Sequence, residues 1–284
     1  MKIGAYSPEI QRPSVDAVFA RAKELGFAQM QYNFSTSHGE EMPEDFYPGE
    51  LDAVARASQA HRIEILAING TFNMIDPDLD RRLTYIRRFE RIAQACQVLD
   101  CRIITLCTGS RSNRSMWTYH PDNATDDAWR DLIDTTRKIM PIAEAYNLFL
   151  GVETEASNVV FTIDRTRRYL DEIGSPWLKV IMDCANLFPA GTAKVENVRP
   201  TLQEAFNQLG QDIILAHGKD VCASDSVQFT APGLGIVDYD FYFDLLKQIG
   251  YSSGLILHGI HDEQAFEPSL DFTKKKLAQA GLWE

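Results

Sequence analysis

Eight short apolar runs recur along this chain of 284 residues, and each is followed by an amphipathic segment. The runs are rich in Ile, Leu and Val and almost continuous in apolarity, which is typical of strands buried on both faces. The segments between them carry apolar residues at three- and four-residue spacing, which predicts helices that pack one face against the strands. The predicted strands are residues 2–6, 28–32, 64–68, 102–107, 149–153, 179–183, 213–216 and 255–258, and the predicted helices are residues 14–25, 51–61, 81–99, 128–146, 162–173, 198–209, 239–249 and 272–280.

This alternation predicts an α/β fold, a single-domain (β/α)8 TIM barrel over residues 1–284. The length suits one large domain, and no low-complexity or linker-like stretch divides the chain. The competing architecture is a doubly wound open sheet. It is disfavoured because no G-x-G-x-x-G fingerprint follows the first run, and no phosphate-binding G-x-x-x-x-G-K-[ST] motif occurs.

The charge and the cysteine content of the chain indicate which classes of partner it can bind and in which cellular compartment it lies. The chain has 40 acidic and 28 basic residues, a net charge of −12, which argues against nucleic-acid and anionic membrane partners. Its five cysteines form no C-x-x-C pair, and this odd number indicates a reducing compartment. No signal-peptide core and no apolar stretch of about 18 residues is present. We therefore expect a cytoplasmic protein.

Polar residues end the last four apolar runs, namely Glu153, Asp183, His217 and His258. The C-terminal ends of barrel strands carry the chemistry in this architecture, so these side chains are expected to meet at one mouth of the barrel. Any single one could be an ordinary loop residue. Four in succession predict a shared metal or catalytic site, whose carboxylate and imidazole donors suit Mn²⁺, Co²⁺, Zn²⁺ or Fe²⁺ better than Ca²⁺.

Further candidates lie in the connections. The long segment after the fourth run holds Arg111, which could attract an anionic group, together with Trp117 and His120. Trp117 could stack on a sugar ring, although the whole segment could also be a surface loop packed by its own aromatic residues. Lys219 could contact a substrate oxygen or form an ion pair with Asp220.

Four motifs carry a resemblance to a known group of enzymes. The chain resembles the sugar phosphate isomerase/epimerase superfamily with the xylose isomerase-like barrel, which includes ketose 3-epimerases, inosose isomerases and dehydratases, and endonuclease IV. The resemblance extends over nearly the whole chain. The motifs are G-V-E ending at Glu153, D-x-x-N from Asp183 to Asn186, H-x-K-D from His217 to Asp220, and G-x-G-x-x-D-Y over residues 233–239.

The resemblance implies a divalent metal, Mn²⁺, Mg²⁺, Co²⁺ or Zn²⁺, with Glu153, Asp183 and His217 as ligands. Ketose epimerases have a fourth ligand, a glutamate on the last strand, and His258 stands at that position here. In those epimerases two metal-bound glutamates exchange the proton on opposite sides of the substrate carbon. His258 could replace the second one either as a ligand or as a base, because imidazole titrates near neutrality. Glu155 and His261 remain candidate auxiliary acids.

Two functions follow as alternatives. The first is a metal-dependent isomerase or epimerase that moves a proton at a carbon next to a carbonyl of an unphosphorylated sugar or polyol, with Glu153 and His258 as catalytic residues. The second is a metal-dependent dehydratase or lyase on a sugar, inosose or keto acid, which the missing second glutamate favours. The charge argues against a nuclease. A non-catalytic binding barrel and a homo-oligomer, since relatives are often dimers or tetramers, are left open. The candidate substrate-binding residues are Lys219, Trp117, His120, Glu155, Asn186 and Arg111.

Overall fold

The computed structural model describes residues 1–283, in which eight parallel strands form a closed barrel and helices cover its outside. The predicted (β/α)8 barrel is confirmed. The first and last barrel strands pair with each other, which closes the sheet. The barrel strands are β1 (Ile3–Tyr6), β2 (Gln29–Tyr32), β3 (Glu64–Asn69), β4 (Ile103–Leu106), β5 (Phe149–Val152), β6 (Leu178–Asp183), β7 (Ile213–Gly218) and β10 (Leu255–Leu257), and the helices are α1 (Val15–Leu25), α2 (Glu50–His61), α3 (Leu79–Val98), α4 (Asp126–Ala145), α5 (Ile163–Ile173), α6 (Val195–Leu209), α7 (Tyr239–Gln248) and α8 (Phe266–Ala280).

The helices begin and end where local chemistry requires it. Ser14 caps α1 by accepting a hydrogen bond from the Ala17 amide at 3.2 Å, and Gly26 ends that helix with a φ of 95°. One helix differs clearly from the sequence-based prediction, because α8 begins at Phe266 rather than at residue 272. Pro141 lies inside α4, which continues through it as one helix.

Two separate apolar cores stabilise the barrel. The larger one lies between the sheet and the helices, and a smaller one is built only from strand residues that point into the barrel. Gly151 on β5 belongs to this inward face, because a Cβ there would lie 2.6 Å from Cγ1 of Ile181 on β6. The missing side chain therefore lets these two strands pack closely directly below the residues that end them.

An unpredicted hairpin follows β7. It consists of β8 (Asp220–Val221) and β9 (Phe229–Thr230), which pair in antiparallel fashion. The buried Asp220 carboxylate holds the next loop by accepting hydrogen bonds from the backbone amides of Gly233 at 3.0 Å and Val237 at 2.9 Å. The acidic residue of the H-x-K-D motif thus has a structural role. Within residues 1–283, no helix combines the length and apolarity needed to cross a bilayer.

Candidate active site

Each barrel strand contributes one polar side chain to the C-terminal mouth. Five of these residues lie two positions beyond a strand residue of the small inner core, so the two-residue alternation of a strand points them inward. All of them except His217 line one cavity of about 340 Å³. In strand order they are Tyr6, Gln31, Asn69, Thr105, Glu153, Asp183, His217 and His258.

Three of these side chains converge as metal donors. Glu153, Asp183 and His217 each offer a ligand atom, and the three atoms lie within 4.8 Å of one another. Nδ1 of His217 is 3.5 Å from Oδ2 of Asp183 and 3.7 Å from Oε1 of Glu153. This nitrogen is buried and has no hydrogen-bond partner among the described residues. A mixed nitrogen and oxygen donor set with an unpartnered imidazole nitrogen fits a divalent ion.

The other side of the His217 ring is held by amides. Nε2 of His217 lies 2.9 Å from Oε1 of the buried Gln31, whose own Nε2 donates to Oδ1 of Asn69 at 2.9 Å. Because the amide oxygen of Gln31 can only accept, His217 donates through Nε2 and keeps the lone pair of Nδ1 toward the two carboxylates. Gln31 therefore sets the tautomer that a metal ligand needs.

His258 stacks between two rings rather than joining the three-donor group. Its ring centroid lies 4.2 Å from that of His217 and 4.5 Å from that of Tyr6. Burial, and next the neighbouring His217, hold the pKa of His258 well below its usual range, so the ring is neutral. Its Nε2 is buried without a hydrogen-bond partner among residues 1–283. This nitrogen is available to a ligand, a metal or a substrate hydroxyl.

A buried carboxylate fixes the turn after His258. The backbone amides of Gly259 and Ile260 donate to the two oxygens of Glu9 at 2.8 Å and 3.2 Å. Gly259 has a φ of 80°, a conformation that favours glycine. Burial raises the pKa of the Glu9 carboxyl to about 7. Glu9, just after β1, thus ties the first and last barrel strands together beside the mouth.

The two carboxylates of the donor group are in different electrostatic states. Although burial acts in the opposite direction, the Lys219 ammonium holds the pKa of Asp183 well below its usual range. Burial raises the pKa of Glu153 to about 7. The Lys219 ammonium is 4.0 Å from Oδ2 of Asp183 and donates to Asn186 at 2.7 Å, and Asn186 donates to Glu153 at 2.9 Å. Asp183 is therefore a permanent anion, whereas Glu153 is suited to exchange a proton near neutrality.

Four of the six candidate substrate-binding residues line the cavity: Lys219, Asn186, Glu155 and Trp117. The Lys219 ammonium also lies 3.5 Å from the centroid of the Phe229 ring, which the unpredicted hairpin brings to the cavity wall. Burial raises the pKa of Glu155, which accepts the Ser157 backbone amide at 3.1 Å.

The remaining two candidates do not line this cavity. Arg111 points into the protein, where it donates to Asp131 at 2.6 Å and to the carbonyl of Ile75. His120 accepts from the backbone amide of Asp122 at 3.2 Å and caps a short helical turn. Both residues organise the long loop after β4, a role that their spacing in the sequence did not distinguish from substrate binding.

Three inward residues were not identified from the sequence. Tyr6, Gln31 and Thr105 are neutral polar residues within runs interpreted as apolar. The Thr105 hydroxyl is buried without a hydrogen-bond partner in the described part of the chain and lies on the cavity wall. A signal existed, because all three follow an inward-pointing strand position by two residues.

Comparison with known families is consistent with this geometry. The family model described as the xylose isomerase-like TIM barrel matches residues 19–276. The chain belongs to this family. Among its characterised relatives, L-ribulose-5-phosphate 3-epimerase UlaE from Shigella flexneri serotype 5b (strain 8401) is 23% identical over 226 residues, which cover 77% of this chain and 73% of the relative. UlaE from Escherichia coli O157:H7 is 26% identical, with 57% of this chain and 55% of the relative covered.

Several solved structures share the barrel. A D-tagatose 3-epimerase-like protein superposes with a TM-score of 0.76 at 18% identity, covering 99% of this chain and 98% of its own. The IolI protein with a bound zinc atom has a TM-score of 0.72 at 18% identity, with 99% and 98% covered. The probable 3-DHS dehydratase AsbF from Bacillus anthracis has a TM-score of 0.73 at 18% identity, with 98% and 99% covered. At these identities the likeness establishes the fold alone.

Proposed function

We propose that this xylose isomerase-like barrel is a metal-dependent isomerase or epimerase that moves a proton at a carbon next to the carbonyl of a sugar or polyol. The observation that carries the proposal is the convergence of Glu153, Asp183 and Nδ1 of His217 beside the mouth cavity, together with the lack of a hydrogen-bond partner for that nitrogen among residues 1–283. The cavity of about 340 Å³ falls at the lower end of the range for small-molecule sites.

Glu153, Asp183 and His217 would hold the metal, and His258 is a fourth candidate ligand. A bound divalent ion of this kind, Mn²⁺, Zn²⁺, Co²⁺ or Mg²⁺, stabilises negative charge on substrate oxygens and so acidifies the adjacent C–H. The zinc in IolI and the sugar epimerases among the relatives support this assignment.

Glu153 is the proposed base. The Asn186 amide orients its carboxylate by donating to Oε2 at 2.9 Å, and a carboxylate held at this position can accept a proton from the carbon next to the carbonyl and return it. Asp183 remains ionised beside it, so only one of the two carboxylates exchanges protons.

His258 is the proposed second proton carrier or fourth ligand. The ring is neutral, and its Nε2 has no hydrogen-bond partner among the described residues. Stacking against Tyr6 and His217 fixes the ring plane. Lys219, Asn186, Glu155 and Trp117 would bind substrate hydroxyls and one ring face, since all four line the cavity.

A dehydratase is the second candidate. The cavity wall offers an imidazole where the ketose epimerases carry a second glutamate, and elimination of water needs only one base and one acid. The fold likeness to the probable dehydratase AsbF is compatible with this alternative. We also propose a cytoplasmic location, because all five cysteines are free thiols.

Deuterium exchange tests the proposal. The protein loaded with Mn²⁺ is incubated in D₂O with ketoses and inososes, and incorporation next to the carbonyl is followed by NMR. We expect exchange without loss of water, and Glu153→Gln should lower its rate by about 10²-fold because the base is removed. Glu196→Gln is the matched control, because Glu196 is an exposed residue of α6 that does not line the cavity, and it should leave the exchange rate unchanged.

The outcome separates the candidates. If exchange were accompanied by a dehydrated product, the protein would be a lyase rather than an isomerase. If Glu153→Gln exchanged as fast as the unsubstituted protein, another residue would be the base. An absence of exchange with every sugar tested, in protein shown to contain metal, would contradict the proposed function.

A further inference from the structure

A second, larger cavity adjoins the metal cavity at the barrel mouth. Its volume is about 680 Å³, and it lies between the loops that follow β2, β3 and β4 and the first turns of α3. The two cavities share Glu41 and Thr71 as lining residues. A ligand seated at the metal donors that reached into the second space would have to pass between these two residues. Nothing in the proton transfer itself requires this space.

The charges of the second cavity balance. Three carboxylates and three guanidinium groups line it, and four of these six groups are tied in ion pairs. Arg81 is 2.7 Å from Asp76, and Arg88 is 3.2 Å from Glu40. The lining as a whole is therefore polar but neutral. A phosphate dianion bound here would meet three carboxylates as well as three guanidinium groups, so the lining offers it no net positive charge.

Two charged groups have no opposite charge within 4.0 Å among the described residues. Glu41 receives a hydrogen bond from the Thr71 hydroxyl at the junction of the cavities, and Arg114 lines the far wall. A free carboxylate accepts hydrogen bonds from hydroxyl groups, and a free guanidinium donates to hydroxyl or ether oxygens. Together they can bind a ligand that carries many hydroxyls and no net charge.

An aromatic side chain completes the cavity. The Tyr85 ring lines it and stacks on Phe72, with centroids 5.8 Å apart and ring planes 17° apart. The guanidinium carbon of Arg88 lies 5.4 Å from the Tyr85 centroid and holds the ring from another side. Because Phe72 and Arg88 cover the ring, Tyr85 offers the cavity a rigid aromatic edge and a hydroxyl group, both of which can contact a sugar ring.

We propose that this cavity is a subsite for a second, uncharged sugar unit, so that the substrate is a keto-glycoside or keto-disaccharide rather than a lone ketose or a sugar phosphate. The inference rests on the proposed function for the orientation of the ligand, because the carbonyl-bearing unit must occupy the metal cavity. The second unit would pass Glu41 and Thr71 and lie between Tyr85 and Arg114.

The test compares three probes with the Mn²⁺-loaded protein: maltulose, which is fructose with a glucosyl group on O4, D-fructose, and D-fructose 6-phosphate. Deuterium exchange next to the carbonyl gives kcat/KM for each, and calorimetry gives the binding constant. We expect maltulose to exceed both other probes by about 10-fold or more. Arg114→Ala should lower that preference by about 10-fold, as expected for a lost hydrogen bond from a charged donor.

Arg87→Ala is the matched control, because Arg87 is an exposed residue of α3 that does not line the cavity. Ser112→Trp is a second variant, in which the larger side chain fills the cavity. It should bring the ratio of the kcat/KM values for maltulose and fructose close to one. Equal kcat/KM values for maltulose and fructose, unchanged by Arg114→Ala and Ser112→Trp, would overturn the subsite and leave the proposed function intact.

A lack of exchange with every probe would count against the proposed function instead, and the calorimetry would then decide about the subsite. Maltulose binding that Arg114→Ala weakens and Arg87→Ala does not would support it. Absence of maltulose binding would overturn it. Tighter binding of D-fructose 6-phosphate than of maltulose would also overturn it, because the neutral lining would then be selecting an anion.

Discussion

Replacing Gln31 by Leu should weaken metal binding although Gln31 is not one of the proposed ligands. Within residues 1–283, its Oε1 accepts the one hydrogen bond that the buried His217 ring makes, at 2.9 Å, and its Nε2 donates to Asn69. Leu fills a similar volume but removes the acceptor, so Nδ1 and Nε2 of His217 can then exchange their proton. We expect the affinity for Zn²⁺ or Mn²⁺ to fall by about 10- to 100-fold, the usual effect of losing such a partner.

This loss corresponds to about 1.4–2.7 kcal/mol of binding free energy. Competition with a chelating dye measures it, and thermal melting of the metal-free protein shows whether the barrel is intact. Gln29→Leu is the matched control, because Gln29 stands two residues earlier on the same strand and its side chain donates to Glu64, away from the mouth. Gln31→Glu should restore an acceptor and retain affinity. Equal affinities for Gln31→Leu and the unsubstituted protein would refute the assignment of the His217 tautomer.

Three further predictions concern the same mouth. Asp183→Ala and His217→Ala should each lower metal affinity by at least about 10-fold, measured as bound metal per chain after dialysis. Full metal occupancy in both variants would show that these residues are not ligands. If the His258 ring carries a proton, His258→Ala should slow deuterium exchange by a larger factor than it lowers metal affinity. A larger effect on metal affinity than on exchange would make His258 a ligand. Burial raises the pKa of Glu9 to about 7, so ionising this carboxyl lowers the stability of the folded protein as the pH rises from about 4.5 to about 7. Over that range, the free energy of unfolding of Glu9→Gln should therefore increase relative to that of the unsubstituted protein. Denaturant titrations at several pH values measure this difference. A difference independent of pH would contradict this.

The barrel and half of its mouth were predictable from the sequence. Strands that are buried on both faces produce continuous apolar runs in the sequence. Four of these runs end in a titratable residue, which is unusual for a buried core position, and this made the mouth residues recognisable: Glu153, Asp183, His217 and His258. The structure brings the first three together, as the prediction of a shared site requires.

The other half was not predictable with the same rule. Gln31 and Thr105 are neutral residues at the ends of apolar runs, and such residues are common at strand ends without any function. Loop residues were harder still. Arg111 turns inward to Asp131 because the path of the loop after β4 depends on contacts with α4 and with the loop after β3, which are distant in the sequence.

The amide contact between Gln31 and His217 joins residues that are 186 positions apart. The proposed donors and their support are spread over strands from both halves of the chain, and β1 and β10 must pair before Tyr6 can stack on His258. Partly folded chains therefore contain the right residues but no coordination geometry. Metal added during refolding should bind late and act mainly by slowing the reopening of the closed barrel, since it favours only the state in which all strands are in register.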